Sequence, residues 1–226
     1  MKETKAQKKL RIENALEALR LAYPDAKPEL NFTTPFELLV ATMLSAQCTD
    51  KQVNKTTAVL FQKYNTPQAF AAMGEDELFA YIKGCGLYQN KGRNIINASK
   101  LILENYGGLV PCDRDELMKL PGVGRKTANV VVSNAFGVPA IAVDTHVFRV
   151  ANRIGLSCAS NVLDTEKQLM QNIPKEDWSI AHHWIIFHGR RICSARNPRC
   201  DICTLKPYCM EHINKLKKTE KSDAVR

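Results

Sequence analysis

Two side chains in this sequence have the chemistry to attack carbon and move protons, and four more have the chemistry to hold a metal. Lys126 lies in Leu120-Pro121-Gly122-Val123-Gly124-Arg125-Lys126-Thr127-Ala128-Asn129, and Asp144 follows eighteen positions later in Val143-Asp144-Thr145-His146. A free amine attacks an electrophilic carbon and can condense to a Schiff base, while a carboxylate accepts protons and stabilises cationic charge. The Gly-rich turn before Lys126 reads as a hairpin feeding a helix, with Ala128, Val131, Val132 and Ala135 at helical spacing behind it. Such a turn presents backbone N–H groups beside a positive dipole end, which suits a phosphate. Gly122, Val123, Gly124 and Arg125 are therefore candidate phosphate contacts. Taken alone, the turn fits the loop of an ordinary αα-hairpin equally well. Asp144 stands between an apolar run, Val138 to Val143 broken by Pro139, and the helical pattern Val147, Val150, Ala151, Ile154, so it also fits a plain N-cap. A capped aspartate is held at a fixed helix end, and capping leaves a chemical role open.

The metal candidates are Cys193, Cys200, Cys203 and Cys209, in the spacing C-x6-C-x2-C-x5-C. The sequence shows no charged-then-apolar signal peptide and no apolar run long enough to span a membrane, so a reducing compartment is expected and disulfides are the weaker account. Four thiolates suit zinc or an iron–sulfur cluster. Only Cys200 and Cys203 form a close pair, which tilts the choice modestly to a cluster. Arg190, Arg191, Arg196, Arg199 and Lys206 surround these cysteines in sequence against the single Asp201. They can offset the charge of a dianionic centre or face a phosphate backbone, with Arg196 and Arg199 the better candidates for the second role. His182, His183 and His188 read as packing or capping residues, and Cys48, Cys85, Cys112 and Cys158 as small core residues.

The elements that must position these groups are helices. The pattern predicts an all-α protein with helices near residues 5 to 22, 35 to 47, 50 to 63, 67 to 72, 75 to 82, 88 to 105, 113 to 118, 124 to 136, 145 to 155, 162 to 171 and 176 to 191. Several open on start signals: Thr34-Pro35 with Glu37, Asp50, Thr66-Pro67, Asp113 with Glu116, and Pro174 with Glu176 and Asp177. The 226 residues are 45% apolar and 24% charged, ordinary for a globular protein, and no repeat or linker marks a domain boundary. The net charge of +9 permits a nucleic-acid partner. Residues 1 to 13 and 214 to 226 each carry five Lys/Arg against two acids and together supply +6, so most of the excess sits at the ends. Residues 213 to 226 are expected as a basic, mobile tail.

The stretches Leu44-Ser45-Ala46-Gln47-Cys48-Thr49-Asp50, Gly86-Leu87-Tyr88, Leu120 to Asn129, Val143-Asp144-Thr145-His146, His182-His183-Trp184 through His188-Gly189-Arg190, and the cysteine loop together resemble the endonuclease III family. These are bifunctional DNA glycosylases and abasic-site lyases of the helix-hairpin-helix superfamily, and the likeness covers nearly the whole chain. It implies two helical lobes: a six-helix barrel-like domain at residues 28 to 137 carrying the helix-hairpin-helix, and a discontinuous cluster domain of 1 to 27 plus 138 to 212. DNA would lie in the cleft between them, with Lys126 and Asp144 facing each other across it. Cys193, Cys200, Cys203 and Cys209 would hold a structural [4Fe–4S] cluster, with no diffusible cofactor.

The same resemblance implies the reaction: base excision repair of oxidised pyrimidines such as thymine glycol, and of abasic sites, in double-stranded DNA. Lys126 would attack C1′ and displace the base, and the resulting Schiff base would make the neighbouring sugar proton acidic enough for β-elimination 3′ to the site. Asp144 would stabilise the cationic sugar and relay the proton. A base inside a duplex must rotate out, and Gln47 and Leu87 would fill the hole, the amide bonding the orphaned partner base and the leucine acting as a wedge. Three other functions stay open. A monofunctional mismatch-type glycosylase lacks an amine at this hairpin position and carries an acid on the early helix, where Leu38 to Leu44 has none. A non-catalytic DNA-binding module does not require the pair Lys126 and Asp144, and an electron carrier leaves the hairpin unexplained. The expected setting is a bacterial-type cytoplasmic, nucleoid-associated monomer without membrane contact.

Overall fold

The structure is a computed structural model that describes residues 3 to 223. It is all-α: among the described residues there are twelve α-helices, three short 3₁₀ turns and no strand. In chain order the helices are α1 (Lys5–Ala22), α2 (Pro35–Ser45), α3 (Asp50–Lys63), α4 (Pro67–Ala72), α5 (Glu75–Ile82), α6 (Tyr88–Tyr106), α7 (Arg114–Leu117), α8 (Arg125–Phe136), α9 (Thr145–Ile154), α10 (Val162–Asn172), α11 (Trp178–Arg191) and α12 (Met210–Asp223).

Most helices begin where a polar side chain can take up an orphan amide. Thr34 accepts from Glu37 N, Thr66 from Ala69 N, and Asp113 from Asp115 N and Glu116 N. Three stretches depart from the sequence expectation. α2 stops at Ser45 because the chain turns left-handed at Gln47, φ +53°. α11 starts at Trp178, after Lys175–Asp177 forms a 3₁₀ turn. The segment read as a tail from residue 213 continues α12 as far as Asp223, and Ala224 to Arg226 lie outside the described residues. Lysine is a good helix former, and Glu211 starts this helix with an i,i+4 pair to Lys215 at 3.0 Å.

The chain divides into two compact units, Pro28–Ala140 and Met1–Lys27 with Ile141–Arg226. In the first, α2 is buried at every residue from Phe36 to Leu44, the mark of a helix that is apolar all round. α3, α6 and α8 pack on it, and Phe36 meets Phe70 of α4 edge to face at 5.3 Å. The one carboxylate buried in α2, Glu37, turns back to accept from Thr33 N and Oγ1 at 2.6 and 2.7 Å.

In the second unit α9 packs on α11, with α1 against α11 and α10 against α9. Its core includes Leu19, Val147, Val150, Leu169, Ile185 and Leu205. Arg11 of α1 is buried and donates to the carbonyls of Ile154, Gly155 and Tyr208 at 3.0, 3.2 and 3.2 Å, and it pairs with Glu3 at 2.8 Å. Of the four scattered cysteines only Cys85 is fully buried. Cys112 and Cys158 are exposed because they fall in the loops before α7 and before α10 rather than on a buried helix face.

Candidate active site

The hairpin between α7 and α8 is built around one left-handed glycine. Gly122 has φ +76°, and a Cβ there would come within 2.9 Å of Asn94 on α6, so both backbone conformation and close approach require glycine. Leu120 and Val123 anchor the turn in the core, and Val123 N donates to Leu120 O at 3.1 Å. Gly124 is the N-cap of α8 and offers no side-chain cap to the first-turn amides, unlike Thr34, Thr66 or Asp113 at their helices. Lys126 is exposed in that uncapped first turn, while Ala128, Asn129, Val131, Val132 and Ser133 bury the other face of α8.

Asp144 belongs to the other unit and is the N-cap of α9. Its Oδ1 accepts from Val147 N at 2.8 Å, and the half-buried carboxylate is flanked by buried Val143 and Val147. The bland reading of Asp144 is therefore correct as local structure, and it fixes the carboxylate at a helix end.

Gln47 and Leu87 share an unusual property. With Asn197 they are the non-glycine residues with positive φ among the described residues, at +53° and +48°. Gln47 is exposed in the turn after α2, and Leu87 is 60% exposed as the N-cap of α6 behind Gly86, φ +59°. A large apolar side chain held outward in a disfavoured conformation is a feature of functional sites rather than of cores.

The four cysteines of the C-terminal loop line one cavity of about 120 Å³ together with Arg153, His188, Ile192 and Leu205. Among the described residues no three His, Cys, Asp or Glu side chains converge as a single ion requires. Burial pushes the thiols of Cys203 and Cys209 up from their ordinary value. Arg196 and Arg199 are exposed on the loop from Cys193 to Cys200, which is shaped by Asn197 at φ +52° and by Ser194 Oγ bonding the Arg196 and Asn197 carbonyls.

The sequence signature of the HhH-GPD superfamily base excision DNA repair proteins matches residues 40–175. Endonuclease III of Bacillus subtilis (strain 168) is 56% identical over 208 residues, 92% of this chain and 95% of the relative. Endonuclease III of Escherichia coli (strain K12) is 50% identical over 86% of this chain and 92% of its own. A solved structure of a trapped endonuclease III–DNA covalent intermediate superposes with a TM-score of 0.87 at 54% identity, covering 92% of this chain and 98% of that one.

The chain belongs to the HhH-GPD superfamily of base excision DNA repair proteins. Within the superfamily it stands with the endonuclease III relatives and shares their enzyme class, DNA glycosylase and abasic-site lyase.

Against this HhH-GPD frame, the cations nearest the cysteines are not those nearest in sequence. Arg153, on the last turn of α9, donates to Cys193 Sγ at 3.5 Å and to the carbonyls of Ser194 and Ala195 at 2.7 and 3.1 Å. Arg149, one turn earlier, donates to Cys193 O at 3.1 Å and Gly189 O at 3.0 Å. Arg191, expected among the compensating charges, instead lies over the Phe187 ring at 4.4 Å. Sequence distance hid Arg149 and Arg153. The available signal was their position, one turn apart and off the apolar stripe of α9. His188 is 3.0 Å from Tyr23 Oη through Nδ1 and 3.6 Å from Cys203 Sγ through Nε2. Burial lowers the imidazole to about 4 and raises the phenol to about 12, so both are neutral near pH 7. One neutral imidazole serves both contacts, donating through one ring nitrogen and accepting through the other.

Proposed function

We propose that this protein excises oxidised pyrimidines from duplex DNA and cleaves the strand at the resulting abasic site, with Lys126 as nucleophile and Asp144 as its electrostatic and proton-transfer partner. The observation that carries the reading is Lys126 itself: an exposed amine in the first turn of a helix whose N-cap glycine leaves the amides uncapped, behind a hairpin that only glycine can make. The backbone of Gly122, Val123 and Gly124, with Arg125, grips the phosphate that brings the damaged sugar to that amine. A relative 54% identical has been captured as a covalent intermediate with DNA, which supports covalent chemistry here.

The step begins with Lys126 Nζ, neutral, attacking C1′ as the glycosidic bond breaks and the base leaves with the bonding pair. Asp144 stabilises the positive charge that builds on the sugar and accepts the proton the amine loses. Ring opening gives a Schiff base between Nζ and C1′, and loss of the C2′ proton then expels the 3′ phosphate. Gln47 and Leu87 enter the stack in place of the rotated nucleotide, the amide facing the orphaned partner base.

Cys193, Cys200, Cys203 and Cys209 line one cavity, and four thiolates there fit a [4Fe–4S] cluster. Arg153 and the His188 ring reach the sulfurs of Cys193 and Cys203, supplying hydrogen bonds of the kind that hold metal ligands in place. Bound there, a cluster would supply structure by tying the loop that carries Arg196 and Arg199 to the end of α11 and the start of α12. An enzyme of this activity belongs with duplex DNA, in a cytoplasmic, nucleoid-associated setting.

Borohydride trapping on duplex DNA with a thymine glycol or an abasic site tests the reading. Wild type forms a covalent adduct, and Lys126→Gln forms none. Base release without an adduct in wild type would mean a monofunctional glycosylase, and binding without release a DNA-binding module.

A further inference from the structure

Beneath the two segments that carry Gln47 and Leu87 lies one buried ammonium. Lys91, on the first turn of α6, is 7% exposed. Its Nζ donates to the Leu44 carbonyl at 2.8 Å and to the Cys85 carbonyl at 2.6 Å. Leu44 is the penultimate residue of α2, three positions before Gln47, and its carbonyl is one of the orphans at that helix end. Cys85 closes the 3₁₀ turn Lys83–Cys85, two positions before Leu87. The backbone N–H of Lys91 donates to Leu87 O at 3.1 Å and closes the first turn of α6. One residue thus holds the approaches to both exposed left-handed residues.

The choice of lysine is not explained by packing. A methionine would fill the same volume with no charge to desolvate, and a buried ammonium without a carboxylate is rare. What faces Lys91, besides the two carbonyls, is the pair of thiols on Cys48 and Cys85. Burial draws its pKa down, the thiols acting weakly the other way. Three N–H donors on one centre can meet acceptors from two separate segments at once, which no apolar side chain does. Both segments need such a restraint, because Gln47 and Leu87 occupy backbone conformations that non-glycine residues leave when free to do so.

We propose that Lys91 is the positioning residue for duplex distortion: it ties the end of α2 to the turn before α6 and so sets the separation and direction with which Gln47 and Leu87 enter the base stack. Lys91 does not touch DNA or the reacting atoms. The assignment rests on the reading that Gln47 and Leu87 enter the duplex.

The test is the ratio of borohydride-trapping rates on two substrates, an abasic site in duplex DNA, which needs stack entry, and the same site in a single strand, which does not. Lys91→Met is expected to lower the duplex rate at least tenfold while its single-strand rate stays within twofold of wild type, and Lys91→Arg to regain most of the loss. If Lys91→Met does not fold, Lys91→Gln takes its place under the same criterion. Equal losses on both substrates, or no loss on duplex, overturn the assignment. The double variant Gln47→Ala, Leu87→Ala separates the two levels. If it acts on duplex as fast as wild type, the stack-entry reading fails; if it is slow and Lys91→Met is not, only the role of Lys91 fails.

Discussion

Lys126 and Asp144 occupy helix starts of opposite kinds. Lys126 follows a glycine that caps nothing, whereas Asp144 is itself the cap, with one oxygen committed to Val147 N at 2.8 Å. This separates the structural and chemical duties of Asp144, because asparagine caps a helix as well as aspartate does but carries no charge. Asp144→Asn is therefore expected to keep its melting temperature within about 2 °C. Its glycosylase and lyase rates should fall about 100-fold or more, the order found when one stabilising group is removed from a developing charge. Calorimetry beside trapping kinetics checks both. A fall in stability matching the fall in rate would leave Asp144 as a cap and nothing more. At this scale the hairpin glycines, Lys126, Asp144 and the cysteines stand out in the sequence, but the turn alone fits an ordinary αα-hairpin and Asp144 a plain N-cap, and only the resemblance gives them a joint role. Lys91 was not read, since a lysine between Tyr88 and Ile95 looks like surface. The signal was there: it stands one turn before Ile95 on the stripe that continues through Ala98, Ser99 and Ile102, all buried.

Caps and breakers made the helices legible, and those are local chemistry. The threonine and aspartate caps of α2, α4 and α7 are where Thr-Pro and Asp-x-x-Glu place them. What the local pattern could not give was a backbone turned by tertiary contact. Gln47 reads as the last residue of a helix, yet it is left-handed beyond the helix end. α12 was lost because a lysine-rich run signals solvation and helix propensity alike, and only the pairing of Glu211 with Arg153 at 3.2 Å and Lys215 at 3.0 Å reveals its dock. At the element scale the start of α8 yields its own prediction. A side chain at Gly124 meets nothing within 4 Å, so Gly124→Asp can cap the helix and add a few tenths of a kcal/mol of stability. If the hairpin amides hold phosphate as proposed, the same carboxylate occupies them and repels it. DNA affinity should fall by about tenfold or more while thermal stability rises, as fluorescence anisotropy and calorimetry on one preparation will show. A variant that gains stability and keeps its affinity would remove the hairpin from the phosphate site.

At the scale of the whole molecule, net charge is a poor guide to where DNA is held. The ends of the chain supply most of the +9, but Arg196 and Arg199, the proposed phosphate contacts, lie on a loop held by internal bonds beside the cysteine cavity. If each neutralises one phosphate, the double variant Arg196→Ala, Arg199→Ala lowers the slope of log Kd against log salt by about 1.8, at roughly 0.9 per contact. A slope unchanged in a titration on undamaged duplex assigns these arginines to charge balance around the cysteines instead. Composition could not divide the chain, because both units are built of the same short helices and tight loops, and the division is set by which helices share a core.

That division has a temporal side. Pro28–Ala140 is synthesised as one uninterrupted run, so its core is complete once Ala140 has left the ribosome. α1 is made earlier, yet its buried face of Ile12, Ala15, Leu16 and Leu19 has its partners on α11, and Arg11 finds its acceptors at Ile154, Gly155 and Tyr208. At about 5–20 residues per second, the first helix made waits on the order of 10 s or more for the segments that cover it. The nascent chain thus carries the apolar residues of α1 uncovered through most of its translation, a long window for a ribosome-bound chaperone.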